Sequence, residues 1–185
     1  MESQIIKKIK AELAAFEEKK QAFIADLRKE FPTMFKDIFE TAPNLKSVSW
    51  RQYTPYFNDG ETCYFSAHTD DLEVNGLNSY DDDDEENPNL CIRHIYKDLR
   101  TEEDVRICKE VADAIGYSWY KDVSIGSRGL AWNPDFDASV SNAVKAISDV
   151  LDEIPDSFLE ELFGDHVRVT ITSNGNIEVD DYEHD

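Results

Sequence analysis

Ser47-Val48-Ser49-Trp50-Arg51-Gln52-Tyr53-Thr54-Pro55-Tyr56-Phe57-Asn58-Asp59-Gly60 runs directly into Glu61-Thr62-Cys63-Tyr64-Phe65-Ser66-Ala67-His68-Thr69-Asp70-Asp71-Leu72-Glu73-Val74. Two β-rich runs flank Asn58-Asp59-Gly60, a triplet that tolerates positive φ, so the spacing predicts a hairpin reversing there. On the first run Val48 and Trp50 point one way and Ser49, Arg51 and Tyr53 the other. On the second, Cys63, Phe65 and Ala67 share a face opposite Tyr64, Ser66 and His68. Leu72 and Val74 continue as a third strand.

A second hairpin closes the chain. Val167, Val169 and Ile171 lie on one face, Ser173-Asn174-Gly175-Asn176 turns, and Ile177 and Val179 return on that face, with an acidic tail expected to fray from Asp180. Between the hairpins, Leu90–Tyr96 alternates as a strand. Thr101 with Glu102-Glu103-Asp104 reads as an N-cap with acids in the first turn of a helix that Gly116 ends. Residues 117–135 read as aromatic and irregular, and Trp50, Trp119 and Trp132 as core. Further helices open at Asp137 or Ser139 and at Pro155, the latter stopping at Gly164.

Residues 3–30 carry the plainest helical period. Ile6, Ile9, Leu13, Phe16, Phe23 and Leu27 recur in threes and fours as a heptad seam that Lys20 interrupts. Ser3 is the expected N-cap, and Pro32 ends or bends the helix. Such a seam either packs on the rest of the chain or forms a homodimer. The whole reads as a single α+β domain over residues 1–185: a helical segment 1–46, then an acidic body 47–185. Its core is an antiparallel sheet of about five or six strands, built from two hairpins and packed on helices.

Net charge is −21, with 41% hydrophobic and 11% aromatic residues, so the chain has a core and is not a disordered polyanion. The charge is uneven. Residues 1–46 hold 9 basic against 8 acidic side chains, net +1, while residues 47–185 hold 10 against 32, net −22. This excludes direct grip on a phosphate backbone and favours a partner with a basic surface. Asp81-Asp82-Asp83-Asp84-Glu85-Glu86 cannot be buried together and belongs on an exposed loop. Cys63, Cys91 and Cys108 lack paired spacing and read as reduced structural thiols of a cytoplasmic protein. No run has the length of a membrane span.

Chemical signatures are sparse. His68 and Asp70 could share a metal on one strand face, but no spacing supplies further ligands, so no metal or cofactor is expected. Ser124–Gly129 has the glycines of an anion loop without its lysine. The outward hairpin faces gather Arg51, Tyr53, Tyr64, His68 and Arg168, a polar-aromatic face open to a small ligand if helices cover only one side of the sheet.

The run Trp50–Gly60, continuing to Cys63-Tyr64-Phe65, resembles a segment of uncharacterised proteins of large tailed bacteriophages and some bacteria, where a comparable helical segment precedes it. The resemblance implies a phage accessory protein acting in the infected cytoplasm and transfers no catalytic residue. The leading expectation is a non-enzymatic acidic protein that occupies a basic host surface, as an anti-defence inhibitor or nucleic-acid mimic would. Its carriers would be Asp70, Asp71, Glu73, Asp81–Glu86, Asp180 and Asp181. The alternatives are an enzyme on the Arg51 face and an assembly factor dimerising through Ile6–Leu27.

Overall fold

The computed structural model describes residues 3–57, 59–78, 90–117, 120 and 122–183. Helix α1 (Gln4–Glu30) starts at Ser3, whose hydroxyl accepts the Ile5 N–H at 3.3 Å. Pro32 brings no N–H, and the chain tightens there into a 3-10 turn (Phe31–Phe35) before α2 (Lys36–Thr41). Phe31, Phe35 and Phe39 face inward from these turns and are buried.

The main sheet is built around β1 (Ser47–Tyr53). Its neighbour on one edge is β7 (Val167–Thr172), which continues to β8 (Ile177–Asp181). Its other edge carries two short strands in line, β2 (Ser66–Ala67) at Gln52–Tyr53 and β3 (Glu73–Val74) at Val48–Ser49, and β3 pairs onward with β4 (Leu77–Asn78). All pairings are antiparallel, and the six strands match the α+β expectation. Alternation on β1 and β7 sends Val48, Trp50, Val167, Val169 and Ile171 under a helical layer of α1, α2, α4 (Ala138–Asp152) and α5 (Asp156–Phe163).

The first hairpin differs from its sequence reading. Asp59 (φ 40°) and Gly60 (φ 91°) do adopt positive φ, while Asn58 lies outside the described residues. Yet pairing stops at Tyr53 and resumes only at Ser66, so 54–65 is a long loop. Two features end the ladder: the Thr54 N–H is taken by Asp165 Oδ1 at 2.8 Å, and Pro55 has no N–H to give. The tight reversal falls instead at Asn75 (φ 55°) and Gly76 (φ 82°), between β3 and β4. Asn75 Oδ1 also accepts the N–H groups of Lys46 and Ser47, fixing the turn to the start of β1.

A second, two-stranded sheet forms where the sequence suggested irregular chain. β5 (His94–Asp98) begins later than the Leu90–Tyr96 alternation implied, and its partner β6 (Arg128–Trp132) lies within the aromatic 117–135 stretch. Leu90, Ile92 and Arg93 spend their carbonyls on Asp137 N–H, Asn133 Nδ2 and Asn133 N–H, which is why they join no strand. Helix α3 (Glu102–Ile115) covers this pair, with the expected N-cap at Thr101, which Asp104 completes into a capping box, and Gly116 at its end. Leu99, Cys108, Val111 and Leu130 form its separate core. Gly129 is required there: a Cβ would lie 2.7 Å from Leu99 Cδ1 and 2.8 Å from Cys108 Sγ. Trp132 is 45% exposed, not core, because it is the last residue of β6, past the buried Leu130 on its own face; Trp119 lies outside the described residues.

The polar residue Gln52 is fully buried. It accepts the indole N–H of Trp50 at 3.0 Å and donates to the carbonyls of Leu159 (3.2 Å) and Gly164 (2.6 Å). Those carbonyls belong to α5 and its C-terminal stop, so one amide joins sheet to helix. Gln52→Leu keeps the volume but strands an indole donor and two carbonyls. A loss of about 2–4 kcal/mol in urea unfolding is expected; unchanged stability would show that the bonds carry no net energy.

Asp137 caps α4, accepting from Ser139 and Val140 N–H, and also binds Asn44 Nδ2 at 2.8 Å. The Ser139 and Asn44 hydrogen bonds hold its carboxyl down at about 2, below the usual 3.8. A depressed acid contributes stability above its unfolded value and loses it as pH falls toward the folded one. The melting-temperature advantage of wild type over Asp137→Asn should therefore hold at pH 5–7 and vanish between pH 4 and 2. An advantage independent of pH would remove the charge from the cap's action.

Candidate functional site

Register places Arg51 directly across from Arg168 on β1 and β7, an arrangement that would repel unless each charge were compensated. Arg51 pairs with Asp71, and Arg168 with Glu73 at 3.2 Å. The ring of Tyr182 lies beneath both guanidinium groups, at 5.8 Å from Arg51 and 6.0 Å from Arg168. Tyr53 stacks on His68 at 4.6 Å and meets Tyr182 at 5.6 Å. Four of the five residues expected on a ligand face therefore come together, while Tyr64 stands away in the loop, 77% exposed.

This assembly is internally compensated, and that corrects two assignments. Asp71 and Glu73 serve as counter-ions to the sheet's own arginines and are not surface acids offered to a partner. The tail does not fray at Asp180: β8 runs through Asp181, and the Tyr182 N–H bonds the His166 carbonyl at 2.8 Å. Tyr182 was missed because a single aromatic in an acidic run gives no periodic signal. Asp180 and Asp181 are exposed on β8 as expected of surface acids, and Asp81–Glu86 lie outside the described residues.

The seam of α1 divides. Leu27 packs against the main core, together with its neighbour Ile24, which is buried. Ile6, Ile9, Leu13, Phe16 and Phe23 are solvent-exposed. Lys20 bonds Glu161 at 2.5 Å, and Arg28 donates to the Leu162 carbonyl while lying over the Phe163 ring, so α5 holds only the C-terminal third of α1.

A cleft of ≈ 480 Å³ opens between α4, the 69–72 turn and the β5 sheet. The Ser148 hydroxyl donates to the Thr69 carbonyl at 3.0 Å, and the Thr69 hydroxyl donates to Asp152 at 2.7 Å. These bonds fasten the turn to α4 and bring Asp70 to the rim that Asp149 and Lys145 share. Lys145 is held by Asp149 at 2.7 and 3.0 Å. His94 and Tyr117, 6.0 Å apart and edge-to-face, form the opposite wall. Beyond the rim, Asp152, Glu153, Asp156 and Glu160 are exposed on the end of α4 and on α5. The acids of 149–161 were legible as a dense acidic run; their meeting with Asp70 was not, since it depends on contacts some 80 residues apart in sequence.

Among the described residues no group of three or more His, Cys, Asp or Glu side chains is placed to hold a metal ion, and the His68 ring stacks on Tyr53. The glycine loop is likewise occupied: Gly126 N–H bonds the Leu99 carbonyl and Ser127 N–H the Ser124 carbonyl. Among those residues no helix is long and apolar enough to cross a membrane. No family model, curated protein or solved structure matches the chain.

All three cysteines are free thiols. Burial, and then the charge of Asp137, pushes the Cys91 thiol in the cleft up to about 11. Its thiolate is scarce at neutral pH, so iodoacetamide at pH 8 should alkylate Cys91 about a hundredfold more slowly than a free cysteine, gaining about tenfold per pH unit. Mass spectrometry of the Cys91 peptide measures this; labelling at the free-thiol rate would mean the thiol is not desolvated.

Proposed function

We propose that the protein is a non-enzymatic acidic binding protein that engages a basic surface of another protein. The observation that supports this best is the junction of Asp70 with Asp149, two acids from distant segments brought to one cleft rim and continued by Asp152 at the end of α4 and by Asp156 and Glu160 along α5. The body's cations are largely committed, Lys145 to Asp149 of the rim itself and the others away from it. Arg51, Arg168, Lys97, Arg100, Arg106 and Lys145 are ion-paired, and Arg93 and Arg128 lie over the Phe136 and Tyr96 rings. The field outside the body is therefore negative, which draws a cationic partner in quickly and with strong salt dependence. The cleft has the size and the acidic, aromatic lining to seat a Lys or Arg side chain of such a partner. The phage-like motif Trp50–Gly60 sets the context we favour, a host nucleic-acid-binding protein occupied in an infected cell, with inhibition of a defence factor as one form.

The test is affinity capture from bacterial lysate at about 50 mM and 500 mM salt, spanning strong and weak screening, using wild type and the triple variant Asp70→Asn, Asp149→Asn, Asp156→Asn. Wild type should retain a basic, nucleic-acid-binding protein at low salt and release it at high salt, and the variant should retain several-fold less. Capture of no cationic protein, or equal capture by the variant, would defeat the reading.

A further inference from the structure

Every residue from Ser3 to Lys19 is exposed, about 24 Å of helix standing off the body with an apolar stripe on it. Ile6 is 46% exposed, Ile9 51%, Leu13 62%, Phe16 67% and Phe23 60%. Such an exposed stripe has the spacing of a coiled-coil seam. In heptad terms Ile6 and Leu13 are a positions, with Lys20 the interruption, and Ile9, Phe16 and Phe23 are d positions. The flanking e and g positions hold Lys10, Glu12, Glu17 and Lys19.

We propose that the occupant of this seam is a second copy of the chain, running antiparallel, with Ile6 opposite Phe23 of the second copy and Leu13 opposite its Phe16. Charge decides the direction. A parallel, in-register pair would set Glu12 against Glu17 of the other helix and stack Lys20 on Lys20 in one core layer. It would also bring two bodies of net −22 side by side. In the antiparallel register Lys10 meets Glu17 and Glu12 meets Lys19, each twice by symmetry, and the bodies sit at opposite ends of the pair.

Register is decided by the same residues. Sliding one heptad in one direction leaves Phe23 uncovered and sets Lys10 against Lys10 and Glu12 against Glu12. Sliding the other way calls on Leu27, which packs against the main core. Only the proposed alignment covers all five open apolar a and d positions and no buried one. Lys20 falls opposite Ile9, where its stem can cover apolar surface while the ammonium stays on Glu161. The dimer stands whether or not the acidic rim has a partner.

Sedimentation equilibrium of the full chain, with circular dichroism on each variant, tests this. Wild type should form a dimer of the 21.3 kDa chain, and Leu13→Asp a folded monomer. Glu12→Lys sets like charges against Lys19 twice and should weaken the dimer about tenfold, with Lys19→Glu in the same chain restoring it. In a parallel pair Glu12→Lys would face Glu17 and tighten the dimer instead. A tightened dimer, a wild-type monomer at every concentration, or a trimer or tetramer would each overturn the proposal.

Discussion

One buried amide holds the layers of this molecule together. Gln52 faces the helices from near the end of the central strand, where a hydrocarbon would be the ordinary choice, and it satisfies the Trp50 indole on one side and the carbonyls of Leu159 and Gly164 on the other. Burying it without those partners would cost more than a leucine there could return. The bonds are directional, so they set the angle and height of α5 over the sheet and not merely its proximity. Everything held by α5 inherits that placement. Phe163 meets Trp50 and Phe31 edge-on at 5.8 and 5.1 Å, and Glu161, Leu162 and Phe163 together grip α1.

Local sequence signals account faithfully for the helices and for the β7–β8 hairpin. Caps at Ser3, Thr101 and Asp137, stops at Gly116 and Gly164, and the Val167–Ile171 alternation are each complete within a few residues, so no distant contact was needed to read them. The failures share the opposite property. Residues 54–65 contain strand formers and a turn triplet, but a carboxylate 111 residues away takes the N–H that would have continued the ladder. β6 is invisible alone, since Arg128-Gly129-Leu130 has little β propensity and pairs only because α3 and Leu99 close over it. Asn75-Gly76 was a legible reversal signal overshadowed by the richer Asn58-Asp59-Gly60.

The candidate site divides along the same line. The residue types on the outward sheet face were readable from period two, and four of them do assemble. Their chemistry was not readable, because ion pairs with Asp71 and Glu73 neutralise the two arginines over the ring of Tyr182. The acids that remain outward are set by helix geometry at the end of α4 and on α5, and by the two hydroxyl bonds that pin the 69–72 turn. Negative charge is thus sorted by the fold into an internal share that neutralises arginines and an external share that faces solvent.

The edge strand β8 gives that external share a second role. Glu178, Asp180 and Asp181 lie along the last strand of the sheet, whose outer row of backbone groups would otherwise accept another strand from any neighbouring molecule. Two such rows brought together would place carboxylates against carboxylates at sheet spacing. The acidity of the tail therefore disfavours strand addition at this edge, one of the two from which a fibre would have to grow.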